Sequence, residues 1–76
     1  MNPLQKLQAI FREYFDDPAL VIGPETSPAN LPQWDSVALV HIVLAIEEAY
    51  DLRFTMDEVA GIHCVADLLV ILEARA

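Results

Sequence analysis

The spacing of apolar and polar positions predicts a helix at the start of the chain. Apolar residues recur there at steps of three and four, as on one face of an α-helix. The members of this stripe are Leu4, Leu7, Ile10 or Phe11, and Tyr14. Asn2-Pro3 is typical of a helix start, and Asp16-Asp17-Pro18 of a helix end. The first helix is therefore expected between these two signals.

A long loop is predicted next. Residues 17 to 34 contain all but one of the five prolines, together with Gly23, which disfavours a regular element. Loops of this length are uncommon in a compact domain and are usually functional. We expect the loop to pack against the core, because it carries several apolar side chains. These are Leu20, Val21, Ile22, Leu31 and Trp34.

From Asp35 to Tyr50 the pattern predicts a second helix with apolar residues on two sides. One stripe has the spacing of a core face and comprises Ile42, Val43, Ile46 and Tyr50. The other comprises Val37, His41, Leu44 and Glu48. The helix is therefore either covered on both sides, or it presents Val37 and Leu44 to a partner.

Two more helices follow. Thr55-Met56-Asp57-Glu58 matches a capping box and predicts a short third helix that ends near Gly61. The last helix is indicated by the spacing of Val65, Leu68, Leu69 and Leu72, with Asp67 in its first turn. The sequence thus predicts an all-α fold: a four-helix bundle with a long first loop and a short third helix, formed by a single domain over residues 1–76.

The charge of the chain narrows the class of partner. Twelve acidic and four basic residues give a net charge of −8. This argues against nucleic acid, which proteins bind through lysine and arginine. It favours partners with basic surfaces, although solubility alone would explain it equally well. With 55% hydrophobic residues, the chain either packs a dense small core or keeps apolar surface for a partner or a cavity.

The cysteine count, the first residues and the length of the apolar runs bear on the cellular location of the protein. The single cysteine, Cys64, excludes an internal disulfide and a cysteine-clustered zinc site. The first residues lack the charged and apolar regions of a signal peptide. No apolar run reaches the roughly 18 residues of a membrane span. We therefore expect a cytoplasmic protein, monomeric and without a membrane partner.

The pattern does not favour an enzyme. In a Ser–His–Asp triad the acid orients the histidine and the histidine contacts the serine. Asp35 directly precedes Ser36, and His41 follows five residues later on the same predicted helix, so neither is well placed. His63 and Cys64 are adjacent and point apart, which disfavours a metal site. Cys64 instead suits a half-buried helix start, where serine or threonine is preferred.

Ser36 is the hydroxyl best placed for a covalent modification. Trp34-Asp35-Ser36-Val37 closes the loop and opens the second helix. Backbone N–H groups at a helix start point outward and stabilise an attached phosphate. The only other serine, Ser27, lies inside the loop. Taken alone, however, Asp35-Ser36 is also an ordinary helix cap.

The wider sequence resembles the acyl carrier protein family. Residues 35–40, Asp-Ser-Val-Ala-Leu-Val, and residues 45–51, Ala-Ile-Glu-Glu-Ala-Tyr-Asp, are similar to the family's Asp-Ser-Leu motif and to the Glu-Glu-aromatic end of its second helix. The similarity continues through Phe54, Glu58, Ile62 and Val65. It implies that Ser36 accepts 4′-phosphopantetheine from coenzyme A, and that the thiol of this arm holds acyl groups as thioesters. Asp35, through a metal ion, and Val37 would then be recognised by the transferase.

The resemblance also implies partners. They are a phosphopantetheinyl transferase, an acyl-loading ligase or acyltransferase, and a ketosynthase or another acyl-processing enzyme. The docking residues would be Val37, His41, Leu44, Glu47 and Glu48. Ala38 and His41 stand where the family commonly has carboxylates, so we expect a less acidic, more apolar docking face.

Such a face favours a dedicated pathway, making specialised metabolites, fatty acids or polyketides, over general fatty-acid synthesis. Two alternatives stay open. One is a carrier of aminoacyl or short polar units loaded by an adenylating ligase. The other is an unmodified helical interaction module in which Asp35-Ser36 is only a cap. The sequence leaves the cargo and the depth of any acyl cavity undetermined.

Overall fold

Helices account for all the regular structure between residues 2 and 75, the part of the chain that the computed structural model describes. The four are α1 (Pro3–Phe15), α2 (Ser36–Tyr50), α3 (Met56–Ala60) and α4 (Val65–Arg75). The predicted all-α fold, with its long first loop and short third helix, is confirmed. Within these residues, no helix is both long and apolar enough to cross a membrane.

Local side-chain bonds define both ends of α1. The Asn2 side chain accepts a hydrogen bond from the Gln5 N–H (2.8 Å), and the Gln5 side chain accepts one from the Asn2 N–H (3.1 Å). This reciprocal capping box satisfies two donors that a helix start leaves unpaired. The helix ends at Asp16, which adopts the left-handed conformation (φ 52°), where an aspartate is tolerated better than most residues.

The long loop is anchored to α1 by side chains of that helix. Gln8 Oε1 accepts a hydrogen bond from the Ile22 N–H (3.0 Å). Arg12 Nε donates to the Leu20 carbonyl (2.6 Å). Because both bonds join residues far apart in sequence, they fix the path of the loop across the surface of α1.

The far part of the loop contacts α4. The carbonyl of Thr26 accepts from the Val65 N–H (2.9 Å), and that of Pro24 accepts from the Ala66 N–H (2.8 Å). The first N–H groups of a helix have no partner within the helix. The loop supplies those partners for α4, and in this way it connects the first and last helices.

The core is formed by the helices together with the loop. Its buried residues are Leu7, Phe11, Ile22, Leu31, Trp34, Ala38, Ile42, Val43, Ile46, Ile62, Val65, Leu68 and Leu72. Trp34 packs edge-on against Phe11, with ring centroids 5.3 Å apart. The loop packs inward as predicted, with one exception: Val21 is 75% exposed, because Ile22 takes the inward position at this point.

The two stripes of α2 have different environments. Its core face is buried, except that Tyr50 at the helix end is half-buried. Burial raises the pKa of Tyr50, and the ammonium of Lys6 lies 4.2 Å from the centre of its ring. On the other side Val37 is 63% exposed and Leu44 56%. Of the two sequence-based options, the structure therefore shows the one in which these side chains face outward.

Candidate functional site

The site is centred on the start of α2. Ser36 is the first residue of this helix and is exposed. Asp35 is its N-cap: Oδ1 accepts a hydrogen bond from the Ala38 N–H (2.8 Å), and the Asp35 carbonyl accepts one from the Leu39 N–H (2.9 Å). The hydroxyl of Ser36 is thus presented to solvent in a helical turn whose N–H groups make the surroundings positive.

Packing behind this turn holds it in place. The Trp34 N–H donates to the Leu31 carbonyl (2.9 Å), and the Leu31 N–H donates to the Ser27 carbonyl (2.9 Å). Trp34 and Leu31 are both buried. The residue two positions before Ser36 is therefore fixed in the core, so the serine is positioned by packing rather than by a mobile loop.

Ser27, the other serine, has a different environment. It is half-buried, and its hydroxyl accepts a hydrogen bond from the Ala29 N–H (3.2 Å) within the loop. Its N–H donates to the side chain of Asn30 (2.8 Å). These bonds make Ser27 part of a turn. The exposed hydroxyl at a helix start is that of Ser36.

An open groove of about 290 Å³ lies beside Ser36. Its lining residues are Pro28, Trp34, Asp35, Ser36, Leu39 and Ile62. Most of these side chains are apolar, and they come from the loop, from α2 and from the segment before α4. A phosphate-linked arm fits this arrangement, because its anionic end would lie at a helix N-terminus and its organic part would have apolar surface alongside.

The structure brings together most of the side chains predicted for docking. Val37, His41, Leu44 and Glu48 are exposed and follow one another along α2 at helical spacing. The His41 ring lies 5.5 Å from the ring of Tyr14 on α1. Tyr14 belongs to the predicted apolar stripe of α1, but it lies at the exposed edge of that stripe.

Glu47 has another environment. Its side chain is only 13% exposed, and Oε1 lies 3.9 Å from the guanidinium of Arg53. Oε2 accepts a hydrogen bond from the Phe54 N–H (2.8 Å). This carboxylate therefore supports the segment between α2 and α3 and does not extend the exposed face. Its place in a docking surface remains a prediction, and the geometry disfavours it.

One residue of the exposed face was not singled out from the sequence. Val40 is 52% exposed and lies between Val37 and Leu44. Its spacing of three residues from Val37 and four from Leu44 was the signal that could have identified it. With Val40 included, the exposed face of α2 is largely apolar.

Cys64 lies at the start of α4, as predicted, and is half-buried. Asp67 Oδ2 accepts hydrogen bonds from the N–H groups of His63 (2.8 Å) and Cys64 (3.2 Å), and the thiol donates to the same oxygen (3.6 Å). The bond from His63, and then those from Cys64, lower the pKa of Asp67. Among residues 2–75, no three His, Cys, Asp or Glu side chains are placed to hold a metal ion.

Comparison with known proteins identifies the family. The family described as phosphopantetheine attachment site matches this chain over residues 5–69. The solution NMR structure of the holo acyl carrier protein from Geobacter metallireducens is similar, with a TM-score of 0.88 and 31% sequence identity. The similarity covers 99% of this chain and 86% of that one. The chain belongs to the acyl carrier protein family.

Membership of this family decides several of the sequence-based expectations. An acyl carrier protein is a carrier rather than an enzyme, and it bears a covalently attached 4′-phosphopantetheine arm. An unmodified helical module is therefore not the function of this chain. Acyl carrier proteins generally interact with transferases and with acyl-processing enzymes.

Proposed function

We propose that Ser36 is the residue that carries the arm and that the chain holds acyl groups on it as thioesters for a dedicated biosynthetic pathway. The observation that supports the attachment site is the exposed hydroxyl at the first position of α2. A phosphodiester there is stabilised by the positive end of the helix. When bound, the arm supplies the thiol that accepts the acyl group, and its length raises the local concentration of cargo at a docked enzyme.

Asp35 and Val37 are proposed to be recognised by the phosphopantetheinyl transferase. Asp35 uses Oδ1 for the bond to Ala38, and its side chain is exposed, so the carboxylate is accessible to a metal ion held by the transferase. Val37 presents an exposed apolar side chain immediately after the serine. These two residues flank the hydroxyl on either side.

The proposed docking surface for acyl-loading and acyl-processing enzymes is the exposed face of α2. We define this α2 docking surface as Val37, Val40, His41, Leu44 and Glu48. Only one of its members is acidic, whereas the chain as a whole carries a charge of −8. Apolar contacts at its centre therefore supply most of the recognition, which supports partners dedicated to this carrier.

Mass spectrometry tests the attachment site. The apo protein is incubated with coenzyme A and a broad-specificity phosphopantetheinyl transferase, and its intact mass is measured. We expect wild type to gain the mass of one phosphopantetheinyl group and Ser36→Ala to gain none. Ser27→Ala is the matched control, because it removes the only other serine, and it should load like wild type. A gain in Ser36→Ala would place the arm elsewhere.

The role of Asp35 is separated from its capping role by a conservative change. Asparagine is as good an N-cap as aspartate, so Asp35→Asn should keep the stability of α2. We expect it to slow loading, because the carboxylate is lost. Loading at the wild-type rate would show that Asp35 is only a cap.

The docking surface is tested by placing a charge at its centre. Leu44→Asp should weaken acyl transfer to the cognate enzyme while the circular dichroism spectrum remains helical, because Leu44 is largely exposed. The control is Val70→Asp, which makes the same kind of change at a 65% exposed position on α4. Unchanged kinetics for Leu44→Asp, or an equal loss for both variants, would exclude this surface.

A further inference from the structure

The guanidinium of Arg75, at the end of α4, bonds to two groups that are distant from it in the sequence. Nη1 donates a hydrogen bond to the carbonyl of Arg53, in the segment between α2 and α3. Nη2 donates to Oε1 of Glu58, within α3 (2.6 Å). Because a guanidinium carries several N–H donors in a fixed fork, it can bond both acceptors at once. Arg75 thereby connects α3, and the segment that leads into it, to α4.

Helix α3 has few other contacts that hold it. It has five residues, and none of them is fully buried. Met56, Asp57 and Ala60 are exposed, whereas Val59 is half-buried and packs against the core. Helices shorter than about 12 residues are marginally stable in water by themselves. The position of α3 therefore depends strongly on the bonds made by its side chains.

Glu58 is the residue of α3 that makes most of these bonds. Its Oε1 also accepts a hydrogen bond from the Thr55 N–H (2.8 Å), and the Thr55 hydroxyl accepts one from the Glu58 N–H (3.1 Å). The bond from the Thr55 N–H, and then the contacts with Arg75, lower the pKa of Glu58. The carboxylate is therefore ionised at neutral pH, and a single oxygen serves both the start of α3 and its connection to α4.

The other end of α3 adjoins the groove beside Ser36. The Ile62 N–H donates to the carbonyl of Val59, in the last turn of α3 (3.2 Å). Ile62 is buried, and together with Trp34 it lines that groove. A displacement of α3 would therefore move one wall of the groove as well.

We infer that Arg75 is a latch that holds α3 against the end of α4 and thereby keeps the groove beside Ser36 from widening. When both of its bonds are made, α3 and Ile62 stay in the positions described above. When they break, α3 moves away from α4 and takes Ile62 with it. Arg75 does not touch the site itself, so it is a positioning residue that acts through α3.

Hydrogen exchange measured by NMR tests the latch. The protein is the full-length Ser36→Ala variant, so that the result is independent of the arm. We expect Arg75→Gln to speed exchange of the Val59 and Ile62 amides about threefold, as the loss of an exposed ion pair and of a hydrogen bond from a charged group implies. The methyl groups of Ile62 should also be relaxed more strongly by a soluble nitroxide.

The same data separate a latch from a contact that only stabilises the whole fold. Core amides such as that of Ile42, which is fully buried, exchange through global unfolding. A contact broken only in global unfolding would speed exchange at Ile42 and leave Val59 and Ile62 unchanged. That pattern would overturn the inference.

Arg53→Gln is the matched control for the loss of a positive charge. The Arg53 side chain is 89% exposed and lies 3.9 Å from Glu47, whereas its carbonyl, which receives the bond from Arg75, is kept in the variant. Exchange at Val59 and Ile62 should therefore remain as in the parent protein. An increase equal to that of Arg75→Gln would show that charge, and not the latch, is responsible.

Glu58→Gln breaks the ion pair from the other side. Glutamine also completes a capping box, so the start of α3 is kept. We expect a smaller increase in exchange than for Arg75→Gln, because the bond to the Arg53 carbonyl remains. Arg75→Gln/Glu58→Gln should exchange like Arg75→Gln alone, since residues in one contact are not additive. Independent effects of the two substitutions, or no effect of Arg75→Gln, would contradict the latch.

Discussion

The start of α2 and the start of α4 are built from similar parts. In each, a buried apolar residue lies two positions before a side chain that carries a hydroxyl or a thiol. Trp34 precedes Ser36 in this way, and Ile62 precedes Cys64. Yet Ser36 is exposed, and Cys64 is half-buried with its thiol bonded to a carboxylate.

The difference follows from the place of the aspartate. Asp35 stands before Ser36 and reaches forward to a backbone N–H inside α2. Asp67 stands after Cys64 and reaches back to its N–H and thiol. The start of α2 is thereby left open, with the hydroxyl of Ser36 free of the aspartate. The start of α4 is closed, because Asp67 accepts a hydrogen bond from the thiol of Cys64. Similar residue types thus occur with different accessibility, exposed at Ser36 and half-buried at Cys64, and the position of the aspartate differs between the two.

The largest effect is expected when the serine is moved from the start of α2 to position 64, at the start of α4. We predict that Ser36→Ala/Cys64→Ser gains no phosphopantetheinyl group, although it has a serine near the start of a helix. The hydroxyl would take the place of the thiol, half-buried and bonded to Asp67. Intact mass after incubation with coenzyme A and transferase is the measurement. Cys64→Ser alone is the control and should load once, like wild type. Any loading of the double variant would contradict the claim that the start of α4 is inaccessible to the transferase.

The next effect concerns the buried residue before each start. Trp34→Ala should lower the free energy of unfolding by about 3–5 kcal/mol, and Ile62→Ala by about 2–5 kcal/mol, because each removes a buried side chain and leaves a cavity. Urea unfolding followed by circular dichroism measures both. Val21→Ala, at an exposed position, should change little. If Trp34→Ala lowered the free energy of unfolding no more than Val21→Ala, burial of Trp34 would not be what holds Ser36 in position.

The smallest effect is a dependence on pH at the closed start. Because the pKa of Asp67 is lowered from its ordinary value of 3.8, its carboxylate stabilises the fold above that value. This contribution is lost as the pH falls through the lowered pKa. We predict that Asp67→Asn is less stable than wild type near neutral pH and that the difference shrinks below about pH 4. A difference that stays constant on acidification would contradict this.

Much of the fold could be predicted from the sequence because the helix starts are local. Asn2 and Thr55 each form a capping box with the residue three positions later, so a short window of sequence contains the whole interaction. Ser36 could be proposed as the attachment site for the same reason, since its predicted surroundings are its immediate neighbours. Confirmation that the chain belongs to a carrier family came from the comparisons.

Other features depend on contacts between distant segments. Glu47 looks from the sequence like part of an acidic surface, but its carboxylate meets the N–H of Phe54 only after the chain turns at the end of α2. Glu13 and Glu48 line one groove between α1 and α2, although they lie on different helices and far apart in the sequence. Periodicity describes one helix at a time, so it could not place these groups together.

Trp34 also gives the molecule a spectroscopic property. It is the only tryptophan of the chain, it is buried against Phe11, and it lines the groove beside Ser36. Indole fluorescence depends on the polarity and packing around the ring. A single intrinsic fluorophore therefore reports on the core and on the surface next to the proposed attachment site, so both can be followed without adding a label.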